Sequence, residues 1–109
     1  MNFPTYDTLL LERRDPHLLV VTINRPEVLN AINTQTGRDL LDLWTRLIAE
    51  GEDIRAVVLT GAGERAFCAG GDLKERHGMT DHAWRQQHEI FERAFFALLD
   101  VPMPVIAAR

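Results

Sequence analysis

Two adjacent glycines followed by an aspartate, Gly70-Gly71-Asp72, are the residues of this sequence whose types and spacing best suit chemistry. Asp72 and Glu75 have the D-x-x-E spacing of a helix start, in which the aspartate accepts from an early helical N–H and the glutamate reaches back to the cap. A backbone without Cβ can approach a ligand closely and aim an N–H at a developing negative charge. On spacing alone a structural turn is the favoured interpretation of these glycines, and an oxyanion-binding loop is the alternative.

An earlier stretch, GAGERA at 61–66, formally satisfies the dinucleotide-binding fingerprint after a strand. That fingerprint must open a helix whose N-terminus receives a pyrophosphate. Here Gly70 and Gly71 follow too soon, and each glycine costs a helix about 1 kcal/mol. The stretch therefore predicts a surface turn.

The sulfur and imidazole side chains favour structural interpretations. Cys68 lies in an apolar run with no general base identifiable beside it, so it is expected to be a small buried packing residue. His77, His82 and His88 are spaced by 5 and 6 residues, not by the 4 that would place two imidazoles on one helix face. No metal site is expected.

Four β-rich runs must position these residues. Those at 6–13 and 17–23 flank Asp15-Pro16 and predict an antiparallel hairpin. The β-branched run at 55–61 predicts a buried strand, and PVIAAR at 104–109 the beginning of another. Together with the helices between them, they predict an α/β fold with a mixed sheet.

Two amphipathic helices complete the pattern. One is expected at 33–50, with Asn33 as its N-cap and Gly51 in a positive-φ conformation at its end. The other is expected at 81–99 with Thr80 as its cap. Five residues of this second helix share an apolar face that is expected to be core or interface: Trp84, His88, Phe91, Phe95 and Leu98.

Three stretches in order, NRPEVLNAIN at 24–33, RAFCAGGDLKE at 65–75 and VPMPVIAA at 101–108, resemble the first part of the enoyl-CoA hydratase/isomerase (crotonase) superfamily. The resemblance implies an α/β fold that is the start of a crotonase-like ββα spiral, with residues 1–109 as a single domain. It also implies an acyl-CoA thioester as ligand, whose enolate is stabilised between two backbone N–H groups.

The resemblance implies specific site residues. Gly71 matches the first N–H donor of the oxyanion hole, and the substrate-binding positions are Val28, Leu29, Ala31, Ala69, Gly70, Asp72 and Leu73. In the family, positions such as Ala69 line the pocket for the adenine and pantetheine of coenzyme A, whereas Asp72 and Leu73 support the loop and flank the acyl group. Many members have lysine where this chain has Glu27, which leaves Arg25 as an alternative phosphate contact.

The family pattern continues beyond PVIAA with a glycine-rich loop that supplies the second N–H, and then with catalytic glutamates, none of which this sequence contains. Arg109 stands where the family usually has an apolar or small residue. The chain is therefore expected to be a truncated, acyl-CoA-binding N-terminal part of an enzyme; the alternative is a non-catalytic remnant or interaction module. Complete members form trimers or hexamers. No cofactor is expected apart from the coenzyme A of the substrate.

Composition bounds the remaining possibilities. The net charge of −4 argues against nucleic acid as a partner. The longest apolar run, LLVVTI at 18–23, is too short to cross a bilayer, so no membrane segment is expected. A single cysteine and an N-terminus without a signal-peptide pattern predict a cytoplasmic location.

Overall fold

The fold is built on a four-stranded sheet, seen in a computed structural model that describes residues 2–108. Its strands, in spatial as in chain order, are β1 Leu9–Asp15, β2 Leu18–Ile23, β3 Ala56–Gly61 and β4 Val105–Ala107. β1 and β2 are antiparallel, whereas β2–β3 and β3–β4 are parallel. The predicted mixed sheet is confirmed. Arg109, where the predicted last strand was to end and where the sequence departs from the family pattern, lies outside the described residues.

The N-terminal hairpin turns at Asp15, whose carboxylate accepts from the His17 N–H at 3.1 Å. The pairing register shifts between Arg13 and Asp15. β1 begins at Leu9 and not at residue 6, because the residues that precede Leu9 do not pair with β2 as a strand. The Tyr6 hydroxyl instead donates to a carboxylate of the following helix, Asp42, at 2.7 Å.

Three helices join or cover the strands: α1 Thr34–Glu50, α2 Leu73–His77 and α3 Asp81–Asp100. The predicted caps are confirmed, since Asn33 accepts from the third helical N–H of α1 and Thr80 does the same for α3. The prediction for Gly51 is wrong, because its φ is −91°. A Cβ there would lie 2.5 Å from the Leu47 carbonyl oxygen, so close approach to the helix end, and not a left-handed backbone, requires glycine.

The core lies between the sheet and α1. β2 is one of the two interior strands and is buried on both faces, with Leu19 and Val20 at 0% and 7% exposure. Leu43, Trp44 and Leu47 of α1 recur at one- and three-residue spacing and are fully or almost fully buried. Burial of each such side chain stabilises the fold by about 1.5–3 kcal/mol.

α3 packs against α1 and the core through only part of the predicted face, since Phe91 and Leu98 are half-buried. Trp84 is 43% exposed and Phe95 is 57% exposed, whereas Gln87 and Ala94 are buried. A Cβ on Gly37 would lie 2.5 Å from the ring of Phe91, which shows how closely the two helices approach. The two buried residues of α3, Gln87 and Ala94, are small or polar, and apolar periodicity does not detect them. Over residues 2–108, no helix combines the length and apolarity needed to cross a membrane.

Candidate functional site

The loop that carries the two glycines, residues 69–73 (the glycine loop), lies beside the segment 28–32 that precedes α1. Three main-chain hydrogen bonds join them: Ala69 N–H donates to Leu29 O at 3.0 Å, Ile32 N–H to Gly70 O at 2.7 Å, and Asp72 N–H to Ile32 O at 2.9 Å. Two segments about 40 residues apart in the sequence therefore form one surface.

The polar groups of the Gly71 peptide point away from this contact. Gly71 and Ile32 form an isolated parallel bridge, in which the groups that bond to Ile32 come from the residues flanking Gly71. In extended chain, successive peptides point to opposite sides, so the N–H of Gly71 itself faces outward. Among residues 2–108 this N–H has no hydrogen-bond acceptor, and Gly71 is exposed. The loop thus presents a free backbone donor.

The two glycines have different physical roles. Gly70 has φ +95°, in the region that favours glycine, with no atom within 4 Å of where a Cβ would lie. Gly71 has no such φ, and a Cβ on it would lie 3.1 Å from Nη2 of Arg76. The N–H of Gly70 donates to the Cys68 sulfur at 3.4 Å. Cys68 is half-buried against the core, which agrees with its predicted packing role.

The 28–32 segment owes its shape to Asn30, which the sequence reasoning missed. After the 3-10 turn Pro26–Val28, Leu29 and Asn30 both have positive φ, 55° and 58°. Asn30 is completely buried, and its amide donates to the carbonyls of Ala62 and Ala66 at 2.9 Å each. Asparagine tolerates the left-handed region better than most residues, so an asparagine shortly after a proline turn was the available signal.

Asp72 joins the glycine loop to Arg25. Its carboxylate accepts from the Glu75 N–H at 3.1 Å, which confirms the predicted cap of α2, and from the Arg25 guanidinium at 3.1 Å. Arg25 also donates to the Ala31 carbonyl. The cap N–H, followed by the hydrogen bond and charge of Arg25, holds the pKa of Asp72 below its usual value. Since Arg25 is engaged within the chain, the structure does not support it as a phosphate contact.

Glu75 does not reach back to the cap, so that part of the prediction is wrong. The Asp72 N–H is already bound by Ile32, and Glu75 turns toward α1 and α3. One of its carboxylate oxygens accepts from the Thr34 N–H at 2.9 Å and from the Gln87 amide at 2.7 Å. Glu75 therefore ties three helices together.

The remaining predicted site residues differ in accessibility. In the glycine loop, Leu73 is 74% exposed and Ala69 is also exposed. In the 28–32 segment, Val28 is 36% exposed. Ala31 is buried, and its carbonyl accepts from Arg25. Among residues 2–108 there is no cluster of three or more metal-ligating side chains.

A cleft of about 850 Å³ lies at the carboxyl ends of β3 and β4, where open parallel sheets commonly bind ligands. It is lined by the stretch from Gly63 to Cys68 and by Ala107 and Ala108, together with the end of β3. None of the predicted site residues lines it. No helix follows Gly61 directly, so the dinucleotide fingerprint lacks its required helix, as expected.

Comparison with known proteins identifies the family. The family profile described as enoyl-CoA hydratase/isomerase matches residues 13–108. YngF of Bacillus subtilis is 37% identical over 102 residues, which are 94% of this chain and 39% of that protein. The short-chain-enoyl-CoA hydratase of Clostridium acetobutylicum is also 37% identical, over 94% of this chain and 38% of its own length.

A solved structure supports the same assignment. The enoyl-CoA hydratase from Bacillus anthracis aligns with a TM-score of 0.85 at 34% identity, over 93% of this chain and 39% of that one. This likeness confirms the expected crotonase-like α/β fold. The chain spans about two fifths of the length of these relatives. Because the profile covers nearly all of the sequence, the chain belongs to the enoyl-CoA hydratase/isomerase family.

Proposed function

We propose that this chain is the acyl-CoA-binding part of an enoyl-CoA hydratase/isomerase-type enzyme, in which the Gly71 N–H donates to the thioester oxygen as an enolate develops. The observation that carries the proposal is the outward, unpartnered N–H of Gly71 on an exposed loop. A preorganised donor of this kind typically contributes about 3–4 kcal/mol to transition-state stabilisation.

The residues around Gly71 hold its N–H in a fixed position. The Arg25–Asp72 ion pair and the three main-chain bonds fix the glycine loop against the 28–32 segment. A donor that is already fixed needs no reorganisation when charge develops, which is the source of its effect. We assign the coenzyme A part of the ligand to the main chain of Val28, Leu29 and Ala31 together with Ala69 and Gly70, and the acyl part to the vicinity of Asp72 and Leu73.

The carboxylates of the loop are not assigned to proton transfer. Asp72 accepts from a helical N–H and from a guanidinium, and Glu75 accepts from two other helices. The donors to Asp72 favour its ionised form and hold its pKa below the usual value, so it is a weakened base. The bound oxygen of Glu75 is occupied by donors from two other helices. The loop is thus proposed to bind and polarise the thioester, not to move its protons.

The test is an NMR titration of the ¹⁵N-labelled chain with crotonyl-CoA, and separately with free coenzyme A. Both ligands are expected to shift amides of 28–31, whereas only crotonyl-CoA, which has the thioester carbonyl, is expected to shift the Gly71 amide downfield. No shift of Gly71, or an equal shift with both ligands, would contradict the assigned donor.

Two variants that each place alanine at a positive-φ glycine make the test specific. Gly70 and Gly63 both have positive φ, +95° and +80°, and lie in different loops. Gly70→Ala is expected to abolish the carbonyl-dependent shift of Gly71, because it distorts the peptide that leads into the donor. Gly63→Ala should leave the shift in place. Loss of the shift in both variants would indicate general destabilisation and not a role of the glycine loop.

A further inference from the structure

The guanidinium of Arg76, on α2, lies directly against Gly71. A Cβ on Gly71 would be 3.1 Å from Nη2 and 3.9 Å from Nη1 of this side chain. Its Nε is buried without a hydrogen-bond partner, and the side chain forms no ion pair with any carboxylate of residues 2–108. An uncompensated cation therefore borders the free donor of the glycine loop.

The carboxylates nearest in sequence do not neutralise this charge. Asp72 is paired with Arg25, and the bound oxygen of Glu75 accepts from Thr34 and Gln87. Arg76 thus differs from Arg25, whose guanidinium is held by a carboxylate and a carbonyl. Polar groups of native proteins nearly always have partners where water is excluded. Within residues 2–108 no hydrogen bond or ion pair engages the Arg76 side chain, so its half-buried guanidinium is available to a partner from outside these residues.

A guanidinium is a planar fork of donors that matches the geometry of a carboxylate and binds it through two parallel hydrogen bonds. Arg76 is half-buried, so part of its fork stays open to a ligand. The cation is next to the peptide that binds the thioester oxygen in the proposed function, on which this step rests. An anionic group a few bonds from the thioester oxygen would reach the Arg76 guanidinium, whereas the coenzyme A phosphates lie at the far end of the pantetheine chain.

We infer that Arg76 forms an anion subsite that selects acyl-CoA thioesters whose acyl group carries a carboxylate. A neutral acyl group of the same length has no carboxylate and therefore leaves the guanidinium without a partner. Charge-assisted bidentate pairing should give the charged thioester a roughly tenfold advantage in dissociation constant or more.

The experiment compares glutaryl-CoA with pentanoyl-CoA, which have five-carbon acyl groups and the same coenzyme, by isothermal titration calorimetry. The unmodified chain is expected to bind glutaryl-CoA about tenfold more tightly. Arg76→Gln should remove this preference and leave pentanoyl-CoA affinity within about twofold, and Arg76→Lys should retain part of the preference, because it keeps the charge but not the fork. Urea unfolding of both variants should give midpoints at or above that of the unmodified chain, since no internal bond is lost.

The outcomes separate the two proposals. Binding of pentanoyl-CoA without a preference for glutaryl-CoA would overturn the anion subsite alone. An equal loss of both affinities in Arg76→Gln would also overturn it, since Arg76 would then contact the thioester or the coenzyme common to both ligands. Failure of both thioesters to bind the unmodified chain would overturn the proposed function and the subsite with it.

Discussion

Replacing Asp72 with asparagine isolates the charge that holds the glycine loop to Arg25. Asparagine caps a helix about as well as aspartate, so the bond from the Glu75 N–H to residue 72 is retained. The pair with Arg25, at 3.1 Å, loses its negative partner. Asp72→Asn therefore tests the ion pair without removing the start of α2.

The magnitude follows from the burial of the pair. Its side chains are only 16% and 12% exposed, so the value of 0–1 kcal/mol that is typical of surface pairs does not apply. Hydrogen bonds to charged groups contribute about 1.5–3 kcal/mol, and we expect Asp72→Asn to lower the free energy of unfolding by this amount at neutral pH. Asp72→Ala should cost about 1 kcal/mol more, because the cap is lost as well.

The assay is urea unfolding, followed by tryptophan fluorescence. The change in signal is expected to come mainly from Trp44, which is 2% exposed in the core, since Trp84 is already 43% exposed. A double-mutant cycle with Arg25→Gln separates the pair from the other bond of Arg25, to the Ala31 carbonyl. The expected coupling energy is about 1.5–3 kcal/mol.

The pH dependence of the free energy of unfolding gives an independent check. Since the folded-state pKa of Asp72 is lowered, its contribution is complete above the unfolded-state pKa of about 3.9 and is lost as pH falls through the folded-state pKa.

A coupling energy below about 0.5 kcal/mol would refute this reasoning, because the pair would then behave as an ordinary surface contact. The same conclusion would follow if the difference between Asp72→Asn and the unmodified chain did not shrink below about pH 4.

Three further predictions concern packing, pH and turnover. Gly37→Ala should lower the free energy of unfolding by about 1–3 kcal/mol in urea titrations, although alanine favours helices, since its Cβ would overlap Phe91; an increase would contradict this helix contact. Burial and a hydrogen-bonded carboxylate raise the pKa of Tyr6, so Tyr6→Phe should cost about 0.5–1 kcal/mol at neutral pH, a difference that shrinks as pH rises above about 10; an unchanged difference would argue against that bond. The purified chain should not hydrate crotonyl-CoA above buffer in an absorbance assay, because the loop carboxylates Asp72 and Glu75 are already engaged by other donors and a positioned proton-transfer group contributes about 10²–10⁴ in rate; turnover lost in Glu75→Gln would show that the loop carries its own base.

The sequence was sufficient for elements that local chemistry determines. Asn33 and Thr80 cap their helices as predicted, because a cap depends only on the residue and the next three positions. The hairpin and the β-branched strand were likewise found to within a few residues. The glycine loop was recognised from its motif, which the order of neighbouring motifs made specific.

Features that depend on tertiary contact were not predictable in this way. The contact face of α3 was predicted only in part. Phe91 and Leu98 belong to it as expected, but its buried residues, Gln87 and Ala94, carry little apolar signal. Glu75 left its expected cap because the N–H that it was to bind already had a partner in a segment about 40 residues earlier. The proximity of Arg76 to Gly71 arises from the fold of the loop onto α2, and no spacing rule encodes it.

The outward peptide of Gly71 has a consequence for mutational mapping. A main-chain N–H survives every replacement except proline, so an alanine scan would not remove the proposed donor, and alanine at position 71 would act only through its Cβ, 3.1 Å from Nη2 of Arg76. Such a scan would instead find the residues that hold the peptide in place, Asp72 and Arg25 above all. The positions most sensitive to alanine would thus be the residues that hold the donor in place, and the donor itself would have to be identified by other means.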